Sequence, residues 1–186
     1  MTIGPDFDGV LTAAQAGEEW AFSLLYRDVN PSLLRYLGAQ APGAAEDLAS
    51  ETWLAVAGHL GSFVGGERAF RGWFFTIARH RLVQHWRDKG RRPVVVAAPE
   101  SFADRAGQDD PEARVLDLLS AQEAAAVIAS VLSPDQAEVV LLRILAGLDV
   151  DQVAEILDKR PGTIRVLQHR ALRRLAKTFS TESLTR

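Results

Sequence analysis

The chain has 186 residues, 47% of them hydrophobic, and a formal net charge of −3, which fits one large globular unit or two small ones. It has no cysteine, which excludes disulfides and thiolate-ligated zinc or iron–sulfur sites. The N-terminal MTIGPDFDG carries acids where a secretory signal needs a basic and then an apolar stretch, and no run of about 18 apolar residues exists, so the expectation is a cytoplasmic protein with no membrane span.

The apolar spacing is helical almost throughout. Ala14, Trp20, Leu24 and Leu25 are assigned to a first helix, and Pro31 is placed to open a second, PSLLRYLG, which Gly38 can end. Residues 44–60 read as a third helix, in which Leu48, Trp53 or its neighbour Leu54, Val56 and Leu60 recur. Gly61, Gly65 and Gly66 then break the chain before a long fourth helix over about 67–89, whose early stripe is Phe70, Trp73, Phe74 and Ile77. Residues 93–114 hold prolines and acids with no sustained period and read as a linker. The VVVAA run inside it has no partner strand nearby. A fifth helix begins at Pro111 or Glu112 and runs to about Val131. Ser133 and Pro134 suit the cap and first turn of a sixth over 134–146, ended by Gly147. Asp149 can cap a seventh over 150–157, and a turn at Arg160–Thr163 leads into an eighth over about 162–179. The expected fold is all-α: two small helical domains, 10–92 and 115–180, joined by a flexible acidic linker, 93–114.

The modest net charge hides two basic blocks. Residues 68–92 carry eight Arg or Lys against the single acid Asp88, and 159–177 carry seven with no acid. A polyanion responds to the local field, so two blocks imply two nucleic-acid contacts.

The C-terminal block lies in a short helix, a tight turn and a longer basic helix, the helix-turn-helix pattern. Val153, Ala154 and Leu157 give the shorter helix a buried side. At about 100° per residue, Ile164, Leu167, Ala171 and Leu175 of the longer helix share a sector of about 80°. Thr163, Val166, His169, Arg170, Arg173, Arg174 and Lys177 lie opposite. Apolar in and basic out suits a helix lying in a major groove, with its N-terminal residues toward base edges and Arg173, Arg174 and Lys177 toward phosphates. Arg160 and Arg165 join this candidate duplex-binding set.

The N-terminal block, RAFRGWFFTIARHRLVQHWRDKGRRP, interleaves aromatic rings with cations, a pattern suited to unstacked bases and a single-strand backbone. Phe70, Trp73, Phe74 and Ile77 read as core, whereas Phe75 falls off their stripe and stays open between core and DNA contact. His59, His80 and His85 belong to no carboxylate-bearing metal motif, so neither a metal nor a cofactor is expected. No nucleophile elbow, P-loop or dinucleotide fingerprint points to an enzyme. A stand-alone helix-turn-helix regulator binding duplex DNA is the alternative. The aromatic basic helix and the lack of an evident dimer seam weigh against it.

Taken in order, EDLASETWLAVAGHL, FRGWFFTIARHRLVQHWR and LSPDQAEVVLLRILAGLDVDQVAEILDKRPGTIRVLQHRALRRL resemble the extracytoplasmic-function (ECF) type of RNA polymerase sigma factor, of the sigma-70 family, over about residues 17–177. The resemblance implies a non-enzymatic initiation factor that binds core polymerase at its beta-prime clamp and beta flap and meets promoter DNA in duplex and single-stranded form. An anti-sigma factor commonly holds such proteins inactive. It implies that Asp47, Leu48, Glu51 and Trp53 grip the polymerase clamp helices. It also implies that Phe63, Arg68, Arg71, Phe75, Arg79, His80, Gln84 and Arg87 serve the minus-10 element and its melting, and that helix 162–177 reads the minus-35 element. Arg79, His80 and Gln84 stand where family members often carry Arg, Asn and Asp, and Val166 and Leu167 replace a frequent Ser-Arg pair. Val166 is suited to touch a thymine methyl, and Leu167 reads as core. The acidic Asp104, Asp109 and Asp110 fit either a basic channel of the polymerase or a solvated spacer.

Overall fold

The computed structural model describes residues 3–90, 128 and 130–182. The linker, the VVVAA run and most of the fifth helix lie outside the described residues. Described elements are α1 (Phe7–Gln15), α2 (Glu19–Gln40), α3 (Ala45–His59), α4 (Glu67–Asp88), α5 (Pro134–Val140, continued by a π turn over Leu141–Leu145), α6 (Val150–Leu157) and α7 (Pro161–Glu182). Short 3-10 turns precede α1 and α3 and follow α3. No strand occurs among the described residues, in keeping with the all-α expectation.

The N-terminal helices divide differently from the sequence reading. Ala14 closes off in α1, Gly17 turns the chain at φ +90°, and Trp20, Leu24 and Leu25 belong to the next helix. That helix, α2, then runs straight through Pro31 and Gly38 instead of restarting at one and ending at the other. The reason is its buried stripe. Ala21, Leu25, Val29, Leu33 and Leu37 recur every four residues, with Tyr36 beside them, all fully buried. Each large member gains roughly 1.5–3 kcal/mol on burial. Their sum exceeds the ~3 kcal/mol of an interior proline and the ~1 kcal/mol of an interior glycine.

α3 and α4 pack on α2 around a chain of rings. Trp53 packs tilted against Phe74 (centroids 4.8 Å), and Phe75 meets both Phe74 (5.5 Å) and Tyr36 (5.7 Å) edge-on. Between α3 and α4, Gly65 has φ +144°, and a Cβ there would stand 2.7 Å from that of Ala69, so the loop needs glycine. The loop brings Phe63 onto Trp73 (4.9 Å), and Gln15 ties it down by donating to the carbonyls of Leu60 and Phe63.

In the C-terminal half both foreseen caps form as reciprocal capping boxes, Ser133 with Gln136 and Asp149 with Gln152. The sixth helix of the sequence reading changes character at Leu141, where the Ala146 N–H reaches back to the Leu141 carbonyl at 3.2 Å. α6 ends at Asp158, which adopts the left-handed conformation (φ +52°) that Asp tolerates better than most residues. α7 begins at Pro161, one residue earlier than expected. Ile164, Ala171 and Leu175 of α7 are buried against Val153, Ala154 and Leu157 of α6 and Val139 and Leu142 before them.

Candidate nucleic-acid and polymerase interfaces

The outward face of α7 is the simplest of the three surfaces. Thr163, Arg165, Val166, His169, Arg170, Arg173, Arg174 and Lys177 are all exposed, as is Arg160 in the turn before them. Val166 is 48% exposed, the apolar side chain among them. Leu167 is half-buried, packed against the core as expected. Two tethers stiffen the helix. Gln168 accepts from Arg143 Nε at 3.1 Å, and Arg174 Nη1 donates to Gln136 Oε1 at 3.3 Å. Lys159, at the turn, pairs with Asp135 at 3.1 Å.

On α4 the candidate residues separate into groups. His80, Gln84 and Arg87 are exposed and, with Phe63, Trp73 and Arg81, border an open groove of about 1030 Å³. Arg71 is engaged inside the N-terminal half. It bonds Asp28 at 2.6 Å and Glu67 at 2.8 Å, and its guanidinium lies 5.8 Å from the centre of the Phe7 ring. Phe75 is fully buried, which corrects its assignment to the melting surface: the Tyr36 and Phe74 rings enclose it. Arg68 and Arg79 each contact an acid of the C-terminal half, Asp149 and Glu138.

α3 requires a similar correction. Asp47 and Glu51 are exposed, but Leu48 (3% exposed) and Trp53 (6%) are core side chains and offer nothing to a partner. Trp53 is held by Phe22, Tyr26 and Phe74 rings, and its indole N–H donates to Asn30 Oδ1 at 3.0 Å. The apolar residue beside the two acids is Leu54, 75% exposed. Helical spacing contained the signal: 47, 51 and 54 share a face that 48 and 53 do not.

Helical throughout its described residues, with a helix-turn-helix at one end and an aromatic, cation-rich helix beside a groove at the other, the chain has the form of a two-part nucleic-acid-binding protein. Two family models match it, Sigma-70 region 2 over residues 22–92 and Sigma-70, region 4 over 127–175. The ECF RNA polymerase sigma factor BldN of Streptomyces coelicolor is 38% identical over 174 residues, 91% of this chain and 64% of BldN. The ECF RNA polymerase sigma factor ShbA of Streptomyces griseus is 34% identical over 171 residues, covering 87% of this chain and 89% of ShbA. The fold resembles that of CnrH, solved with the cytosolic domain of CnrY (TM-score 0.64, 20% identity, 94% of this chain and 97% of that one). The chain belongs to the ECF sigma factors of the sigma-70 family, proteins of transcription initiation. Among the described residues no helix is long and apolar enough to cross a membrane, and no group of three potential metal ligands occurs.

Proposed function

We propose that this sigma factor divides initiation among its surfaces as follows. Residues 10–92 form the unit that grips core polymerase and opens the minus-10 element, 115–180 form the unit that reads the minus-35 element, and 93–114 join them. The exposed face of α3, Asp47 and Glu51 with Leu54 beside them, meets the polymerase clamp. His80, Gln84 and Arg87, with Arg68, Arg79 and Phe63, serve the minus-10 strand. A flipped base costs a few kcal/mol to extrude, which ring stacking and cations along the groove offset. Arg71 steadies the start of α4 through Asp28 and Glu67. The face of α7 enters the major groove, with Thr163, Arg165, Val166 and His169 toward bases and Arg160, Arg170, Arg173, Arg174 and Lys177 toward phosphates.

The observation that carries this reading is the exposure of every polar or basic candidate on α7 while Ile164, Ala171 and Leu175 of the same helix are buried. The protein acts in the cytoplasm without chemistry of its own, and an anti-sigma factor holds it between uses. The RpoE protein of Bartonella quintana was solved with such a partner, the anti-sigma factor NepR. Promoter-specific run-off transcription, with purified protein added to sigma-free bacterial core polymerase, tests the assignment. The expected result is a discrete transcript absent from core alone. No transcript, together with tight duplex binding by the free protein, would move the reading to a stand-alone helix-turn-helix regulator.

A further inference from the structure

The two halves of the chain meet along α4. Arg79 Nε donates to Glu138 Oε1 at 2.7 Å, and the Glu138 side chain is only 7% exposed. The same carboxylate acts through its charge on the buried Tyr36 phenol. Burial first and Glu138 second push that hydroxyl above its ordinary range, against Gln40 and Arg79. Nearer the start of α4, Arg68 pairs with Asp149, and Gln152 Nε2 donates to the Arg68 carbonyl at 2.6 Å. Gly72 lies under this second contact, where a Cβ would stand 3.1 Å from Gln152 Nε2. Positions 68, 72 and 79 fall within a sector of about 40° of the helix, so one stripe of α4 carries both contacts.

The chemistry is uneven in a telling way. A buried carboxylate is costly without a counter-ion, so Glu138 is tolerated in the interface because Arg79 meets it. Such a pair adds little net stability over an apolar contact, but removing one partner leaves a buried charge uncompensated. The arginines they engage are two of those assigned to promoter DNA, while the face of α7 stays open to solvent.

We propose that the C-terminal half masks part of the promoter-melting surface in the free chain. Glu138 and Asp149 engage guanidinium groups that DNA phosphates would otherwise take, Arg79 inside the interface and Arg68, 69% exposed, at its open end, and the chain binds single-stranded DNA more weakly until the halves separate. The masking rests on the assignment of Arg68 and Arg79 to DNA; the closure does not.

The chain has no cysteine, so Gly43→Cys with Gly162→Cys gives one labelled pair, both at exposed sites with open space around the added Cβ. Double electron–electron resonance on the full-length spin-labelled protein is expected to show one narrow distance. Glu138→Gln with Asp149→Asn should broaden it toward longer values, the Asn keeping the helix cap. Gly72→Gln should do the same by bulk alone. It also puts a better helix former at an interior position, so it decides the matter if the charge variant fails to fold. In parallel, the anisotropy of a fluorescein-labelled 20-nucleotide single strand should report affinity raised about ten-fold in the opened variants. A broad distance in the unmodified chain, or one that neither variant changes, overturns the closure. Opening without any gain in single-strand affinity overturns the masking and the DNA roles of Arg68 and Arg79, while leaving the sigma function to the transcription assay.

Discussion

The indole N–H of Trp53 on α3 donates to the Asn30 side-chain oxygen on α2 at 3.0 Å, from the middle of a cluster of four aromatic rings. This makes Trp53 a bolt between helices and separates its contribution from that of its exposed neighbour. Trp53→Ala should cost about 3–5 kcal/mol, the range for deleting a large buried ring. Asn30→Ala, which leaves the indole donor without its acceptor, should cost about 1–3 kcal/mol. Urea unfolding followed by circular dichroism measures both. A Trp53→Ala protein of unchanged stability that fails only in polymerase binding would restore the contact role that the family resemblance implies for it.

Trp53 also shows where sequence reading reaches its limit. Helix positions and caps were legible because they depend on local chemistry: Ser133 and Asp149 close their boxes as spacing requires. The basic face of α7 was legible because a single helix wheel settles it. Pro31 and Gly38 misled because their local cost is visible in the sequence, whereas the gain from the stripe Leu25, Val29, Leu33 and Leu37 depends on α3 and α4 being there to cover it. Phe75 is ambiguous on its own helix and core in the fold for the same reason: Tyr36, its partner, comes from α2, far back in the chain. Nothing in the sequence sets Glu138 apart, since an acid on an amphipathic helix is ordinary until another part of the fold buries it.

Asp149 serves two partners, and pH separates them. The hydrogen bond from Arg68 is the main influence holding its carboxyl below the ordinary value; the Gln152 and Asp151 backbone N–H groups add to this, and desolvation opposes it. A depressed carboxyl contributes stability that is full above its unfolded pKa, about 3.9, and is lost as pH falls through the lowered folded value. Asp149→Ala should therefore cost about 0.5–2 kcal/mol at pH 7, the usual loss of an N-cap. Asp149→Asn should cost less, because the amide oxygen still accepts from the α6 backbone, and its stability should be less sensitive to pH below about 4. Urea midpoints at pH 7 and pH 3 check this. Equal losses for Ala and Asn at pH 7 would mean that the charge pair, not the cap, dominates.

The α3 face offers a test in which fold and function part. Asp47→Lys with Glu51→Lys changes two exposed side chains. Stability should stay within about 0.5 kcal/mol, the usual limit for surface changes. Affinity for core polymerase should fall at least ten-fold, and Leu54→Ala should lower it through lost apolar contact. Biosensor titration of immobilised core with each variant, alongside thermal unfolding, measures the two effects separately. Full affinity in the charge-reversed protein would remove α3 from the polymerase interface.

Arg173 and Val166 sit on the same exposed face of α7 but should fail in different ways. Arginine toward a phosphate releases a counterion on binding, so Arg173→Ala in the reconstituted holoenzyme should weaken all promoters alike and flatten the log–log salt dependence by about one unit. Val166 lies nearer the N-terminus of the helix, the end that would face base edges in a major groove. It can touch a thymine methyl yet cannot donate a hydrogen bond. Val166→Ser and His169→Ala should therefore leave the salt slope unchanged and redistribute preference at individual minus-35 positions in a randomised promoter library. The contrast is physical: a phosphate looks the same at every step of the duplex, whereas a methyl group distinguishes thymine from cytosine at a single one. A shifted base preference in Arg173→Ala, or an unshifted one in both Val166→Ser and His169→Ala, would mean that α7 docks in a different rotation from the one its exposed face implies.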